Sequence, residues 1–295
     1  MSKSEQGCDQ VSGHGEVLAE WIEPHLPTVF TRWHRYHERL QRASSAAVIA
    51  AAGVRPGDAV LDIGSGAGIP ALEVARVVGP EGRVVATDPS PIFVAAVLEH
   101  ARQAGLGNVE AIETGVTDLP FDGGCFDAAT CHMGVMFFPD VRAGLGRIRR
   151  VLRPGGRAGF VVWGPEDENA FFGSFWDGAR PYLPAPPPGS GDDGVVGAAD
   201  APGPMRFAAP GSLSAALTLA GFGDVREETR VVEMVWPGPV ETLFEQWTEI
   251  SRIESRVALE RRSEFRRNVL ASLRRYADGE TVRVSAPIVV ASGAA

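Results

Sequence analysis

Apolar and polar positions follow two rhythms along this chain. Short apolar runs at 59–63, 83–87, 109–113, 126–131 and 158–163 have the length and composition of buried strands, while 70–78, 92–104 and 141–152 repeat their apolar residues with a helical period. Strand and helix therefore alternate, which predicts an α/β fold: a mostly parallel sheet with helices on both faces. Ligands of such a sheet sit beyond the carboxyl ends of its strands. Ahead of this alternation, Val29, Trp33, Tyr36 and Leu40 fall at i, i+4, i+7 and i+11 behind Thr28, a predicted N-cap that follows Pro27. Ser44 or Ser45 is expected to cap a second, Ala-rich helix, and Gly53 to close it in the left-handed conformation.

The rhythm breaks at 181–210, where eight Pro and five Gly rule out a helix or a central strand. Regular structure resumes with a short helix marked by Leu213, Ala216, Leu217 and Ala220 and ended by Gly221. A strand at 225–236, two charged helical segments within 239–279 and a last strand at 281–291 follow. The expected organisation is a flexible N-terminus at 1–13, a helical lid at 14–52 and a Rossmann-like core at 53–180. A Pro/Gly-rich loop or substrate cap at 181–210 and the remainder of the same sheet domain at 211–295 complete it.

Composition narrows the function classes. Hydrophobic residues make up 44% and charged residues 22% of the 295, the profile of a folded globular chain. A net charge of −9 disfavours nucleic acid as a partner. Cys8, Cys125 and Cys131 form neither a disulfide framework nor a zinc or iron–sulfur ligand set, so no metal is expected. The longest uncharged small-apolar run, 43–54, is too short to span a bilayer, and the expectation is a cytoplasmic protein that does not engage a membrane.

The sharpest local feature is the run from Val60 through Asp62 and Ile63 into Gly64-Ser65-Gly66-Ala67-Gly68, followed by a helix. Glycines let the backbone approach a ligand, and the helix N-terminus offers unpaired N–H groups. A dinucleotide fingerprint needs glycine where Ile69 stands, which argues against NAD. Asp88, ending the second strand, and Asp118, after the third, can join Asp62 in one crevice. Asp88 can accept both hydroxyls of a ribose, and Asp118 an adenine amino group with Leu119 packed on the ring. An acidic lining suits a cofactor that carries a sulfonium and an ammonium.

These motifs, with Thr87-Asp88-Pro89, Thr117-Asp118-Leu119-Pro120-Phe121, the run from Cys131 to Asp140, and Leu152-Arg153-Pro154-Gly155-Gly156, resemble those of class I S-adenosylmethionine-dependent methyltransferases, in the ubiquinone/menaquinone-methyltransferase-like branch. The resemblance covers about residues 45 to 165. It implies a seven-stranded sheet with an antiparallel last strand, S-adenosyl-L-methionine as cofactor, and contacts from Gly64, Ser65 and Gly66 to the methionine part. It also implies Asp88 on the ribose, Pro89 on the adenine face, Thr117, Asp118 and Leu119 at the adenine edge, and Cys131 or His132 near the reacting methyl. His132 is the candidate general base, with a pocket-wall role as the alternative.

Trp33, Tyr36, His37 and Met136 are candidate acceptor contacts, as are Trp163, Phe171, Phe172 and Trp176 after the fifth strand; the aromatic residues of both groups can equally be core. The expected activity is methylation of a small aromatic or isoprenoid metabolite, at carbon in preference to oxygen or nitrogen, by a monomer or homodimer. A non-catalytic cofactor-binding module and an NAD(P)-dependent oxidoreductase stand as alternatives.

Overall fold

The computed structural model describes residues 19–183 and 201–295. The N-terminal stretch at 1–13 and residues 184–200 of the Pro-rich segment lie outside the described residues. Five parallel strands, β1 (Ala59–Ile63), β2 (Arg83–Asp88), β3 (Val109–Glu113), β4 (Phe126–His132) and β5 (Leu152–Trp163), are joined by β6 (Gly223–Trp236), the two-residue β7 (Ala277–Asp278) and β8 (Thr281–Ala294). The order is β3-β2-β1-β4-β5-β8-β6, with β7 paired to β8. The expected seven-stranded path is present. The eighth strand, β7, is a short hairpin arm with no apolar run to announce it. β8 is antiparallel to both neighbours, and the strand order reverses between β1 and β4, where a crevice opens.

β1 is buried along its whole length, as a strand covered on both faces must be. One face packs small residues, Val60, Val84, Ala86 and Ala128, against Ala71, Val74, Ala75 and Val78 of α4 (Ala71–Val78) and Val97 of α5 (Pro91–Gln103). On the other, Leu61, Val85, Ala129 and Cys131 join the larger core with Leu145 and Ile148 of α6 (Val141–Val151).

The N-terminal helices differ in detail from the sequence reading. α1 (His25–Arg32) begins before Thr28, and its first bond runs from Thr28 N–H to Pro24 O. Pro27 is tolerated there because first-turn N–H groups have no partner within the helix. The backbone turns at Trp33, so the amphipathic pattern spans two helices, α1 and α2 (His34–Leu40). α3 (Arg42–Ala52) starts ahead of Ser44 and Ser45, which are buried inside it rather than capping it; Gly53 closes it at φ +66°.

α3 lies directly on the sheet. A Cβ on Gly159 of β5 would meet Val48 O and Ala52 N of α3 at 2.6 Å, so only glycine permits this approach. α9 (Val240–Ser251) and α10 (Arg262–Arg274) lie between β6 and β8 in sequence. α9 clasps the N-terminal helices: Trp33 Nε1–H donates to Glu249 Oε2 at 2.8 Å, Arg32 pairs with the same carboxylate, and His25 Nε2 lies 2.8 Å from Glu249 O. α7 (Ala170–Ala179) packs on α10, and α8 (Ser212–Leu219) on β6 and β8. Among the described residues no helix is long and apolar enough to cross a membrane.

Candidate active site

β1 delivers its chain into the glycine loop at the reversal point. Gly64 takes φ +64°, and its Cα faces Gly134, which follows β4, so that a Cβ there would lie 3.7 Å from Gly134 Cα. The loop is fastened to β2: Ser65 N–H donates to Thr87 O at 3.0 Å and Gly66 N–H to Asp88 Oδ2 at 3.0 Å. Asp88 Oδ1 accepts from Ser90 N–H at 2.9 Å. Each carboxylate oxygen keeps a second lone pair. Burial pushes Asp88 up to about 6, against the opposing pull of the Ser90 and Gly66 amides. Ser65 Oγ is buried in the loop with no partner.

Asp62 stands one strand position behind the loop and is fully buried. Its register opposite Thr130 of β4 explains the 2.6 Å bond from Thr130 Oγ1–H to Asp62 Oδ1. Oδ2 has no hydrogen-bond partner of normal geometry, though the Ala71 N–H nearby favours the charged form. Burial, reinforced by Asp88, pushes Asp62 up to about 7 despite the Thr130 bond.

Above these strand ends lies a cavity of about 270 Å³. Its rim brings together Gly64, Ser65, Gly66, Asp88, Pro89, Thr117, Asp118, His132 and His37, all singled out in the sequence. Asp118 is exposed, in the 3-10 turn Val116–Asp118, with Thr117 Oγ1–H donating to its Oδ2 at 3.1 Å.

Much of the rest of the wall is aromatic. Trp21 meets Phe30 of α1 and Phe137 beyond β4, with ring centroids 5.3 and 5.1 Å apart. Phe93, Phe138, Met133 and Gln41 also line the cavity. Phe137 and Phe138 lie within the Cys131–Asp140 run noted above, a signal available in sequence; Trp21 and Phe30 reach the site only through the packing of α1. The turn at 201–210 is docked on this wall: Gly203 N–H donates to Met136 O at 3.1 Å and Arg206 Nη1 to Phe138 O at 2.7 Å. No lysine or arginine lines the cavity among the described residues.

Several sequence candidates lie elsewhere. Leu119 and Cys131 belong to the large core, Leu119 because the turn at Pro120 points it inward beside α6, Cys131 because the strand alternation sends it to the α6 face. Burial pushes the Cys131 thiol far up, leaving it inert. Met136 is buried in the same core. Trp33 packs tilted on Trp236 and Tyr36 stacks on it, at 5.7 and 4.6 Å between centroids, rather than over the cavity. Trp163, Phe171, Phe172 and Trp176 pack with Trp247 of α9, a residue distant in sequence, as part of the same large core. None of these side chains lines the cavity, nor does that of Asp62.

A methyltransferase-domain family model matches residues 60–156. The chain is 31% identical over 242 residues to the nocamycin O-methyltransferase of Saccharothrix syringae, a match that covers 81% of this chain and 86% of the relative. The chain belongs to the class I S-adenosylmethionine-dependent methyltransferases. It is also 37% identical over 129 residues to the 2-phytyl-1,4-naphtoquinone methyltransferase of Synechococcus elongatus, covering 43% of this chain and 52% of that relative. Solved structures agree on the fold. The YcgJ protein of Bacillus subtilis has TM-score 0.53 at 18% identity, over 86% of this chain and 98% of that one. Phosphoethanolamine N-methyltransferase 2 of Haemonchus contortus has 0.54 at 16% identity, over 97% and 60%. Family membership makes the chain a methyltransferase rather than an NAD(P)-dependent oxidoreductase or a non-catalytic binding module.

The residues present fit the family's methyl donor. The Ser65 hydroxyl is buried without a partner in a glycine loop that takes φ +64° at Gly64, and the acids Asp88 and Asp118 line a cavity with no lysine or arginine among the described residues, which suits a positively charged sulfonium.

Proposed function

We propose that this methyltransferase acts on the hydroxyl of an uncharged, largely apolar small molecule, an aromatic or isoprenoid metabolite, with His132 as the proton acceptor. The observation that carries this reading is the combination of an aromatic, cation-free wall with a neutral imidazole at the carboxyl end of β4. A carboxylate or phosphate on the acceptor would be desolvated here with no cation to pair it. The relative matched over most of its length is named an O-methyltransferase, which supports oxygen over the carbon expected from the branch resemblance.

Gly64, Ser65 and Gly66 would hold the methionine part of S-adenosylmethionine, Asp88 the ribose, and Thr117, Asp118 and Val116 the adenine edge. The bound cofactor supplies an electrophilic methyl group on a positively charged sulfur. Trp21, Phe30, Phe137 and Phe138 align the acceptor and keep water out, which strengthens every charge interaction within the cavity. Burial pushes His132 down to about 4 and keeps it neutral, with a lone pair available to take a proton. A base this weak matches an acidic hydroxyl, a phenol or enol, better than an aliphatic alcohol. Proton uptake by His132 creates one positive charge while the sulfonium charge is lost, so the net charge of the closed cavity does not change.

Calorimetric titration with S-adenosylmethionine, followed by a methyl-transfer screen over phenols, enols, aliphatic alcohols, amines and carboxylates, tests the reading. The expected result is binding that weakens about 10- to 100-fold in Asp88→Ala, the loss of charge-assisted bonds to two hydroxyls, and turnover concentrated on phenols or enols. Turnover confined to amines or carboxylates would overturn it.

A further inference from the structure

Two histidines of the cavity wall differ in the nitrogen they leave over. His37 Nε2 lies 3.1 Å from Gln246 Nε2 of α9, and its Nδ1 is sealed in protein without a partner. His132 Nε2 lies 2.9 Å from Ser44 Oγ of α3. Its Nδ1 has no hydrogen bond and is not sealed in protein among the described residues, and His132 lines the cavity.

Ser44 Oγ is also 2.9 Å from Gln41 O, and a serine hydroxyl has one proton to give. If that proton goes to the Gln41 carbonyl, Oγ accepts from His132 Nε2–H and both contacts are hydrogen bonds. If it goes to Nε2 instead, the Gln41 contact sets two oxygens against each other, and an Nδ1–H is left without a protein acceptor. The first arrangement makes one more bond and leaves no donor stranded. Ser44 is itself held in place: it is buried, and α3 is seated on the sheet by the close approach at Gly159.

We infer that Ser44 is a positioning residue for the transfer: anchored on the Gln41 carbonyl, its hydroxyl holds His132 in the tautomer whose bare Nδ1 faces the acceptor. The inference rests on the O-methylation proposed above and names what sets up its base. In the step it prepares, the acceptor oxygen bonds to the methyl carbon as the carbon–sulfur bond breaks. The bonding pair stays on sulfur, giving a neutral thioether, and the hydroxyl proton passes to Nδ1. His132 then carries both protons and the positive charge until Nδ1 releases one to water as product leaves.

Long-range ¹⁵N–¹H correlation on the ¹⁵N-labelled enzyme reads the His132 tautomer with neither acceptor nor cofactor present, the resonance being assigned by its loss in His132→Asn. The proton is expected on Nε2. In Ser44→Ala the two tautomers should mix, and kcat should fall about 10- to 100-fold while the acceptor KM and cofactor affinity hold. Ser44→Thr, which keeps the hydroxyl, should restore the tautomer and most of kcat. A wild-type proton on Nδ1, or a Ser44→Ala enzyme with unchanged tautomer and kcat, would overturn the inference. If Ser44→Ala does not fold, the wild-type tautomer decides alone. Failure of the wild type to methylate any hydroxyl would instead refute the proposed O-methylation and leave the tautomer result standing.

Discussion

Asp62→Asn isolates the cost of a carboxyl placed beneath the glycine loop. Asp62 is raised from 3.8 to about 7, chiefly by burial. A carboxyl whose folded value lies above its unfolded one stabilises the fold fully below the unfolded value, and that stability is lost as pH rises through the folded value. At about pH 5 the folded group is protonated while the unfolded one is ionised, and the loss relative to strong acid is about 2 kcal/mol. At about pH 8 it reaches about 4 kcal/mol. Asparagine accepts the Thr130 hydroxyl as aspartate does but cannot ionise. Its amide also faces the Ala71 N–H, a penalty independent of pH. The informative quantity is therefore the slope: from pH 5 to pH 8 the variant should gain about 2–3 kcal/mol on the wild type. For a chain of this size that is a Tm difference of about 4 °C. Differential scanning calorimetry across that range reads it directly. Parallel Tm curves for the two proteins, or a wild type that gains on the variant as pH rises, would refute the reasoning.

Other outcomes follow from the same geometry. His132→Ala should lower kcat about 100-fold or more while S-adenosylmethionine binding by calorimetry stays unchanged. Because burial holds His132 near 4 and Asp88 near 6, an acid limb of wild-type kcat/KM between about pH 6 and 7 should belong to Asp88 and disappear in Asp88→Asn; a limb near the ordinary histidine value of about 6.5 that survives this substitution would show a solvated ring. Gly159→Ala places a methyl 2.6 Å from the backbone of α3, which should cost about 1–3 kcal/mol in urea denaturation and, by shifting Ser44, lower kcat as well. Trp21→Ala opens the closure against Phe30 and Phe137 and should raise the acceptor KM several-fold, measured by steady-state kinetics.

The parts of the site legible in sequence are those built by contiguous residues. A strand that ends in Gly64-Ser65-Gly66 and a second that ends in Asp88 need only the parallel register to meet, and strand alternation announced that register. The aromatic wall was not legible, because Trp21 and Phe30 reach the cavity through the docking of helices whose bend at Trp33 no periodicity reveals. Serine favours helix starts, so the sequence points to Ser44 or Ser45 as the cap. The helix begins two residues earlier, which carries Ser44 inward to His132. The aromatic group after β5 fits either a substrate wall or core by its place in the chain. Trp247, more than seventy residues further on, covers it and makes it core.

The proposed reaction is methyl transfer to an acidic hydroxyl within the β1–β4 crevice. Incubation of the enzyme with methyl-¹³C-labelled S-adenosylmethionine and a phenol or enol acceptor, with the product read by carbon–proton correlation, tests it most directly. The label should appear as a methyl ether whose formation requires the intact His132. A label bonded to carbon or nitrogen, or ether formation unchanged in His132→Ala, would contradict it.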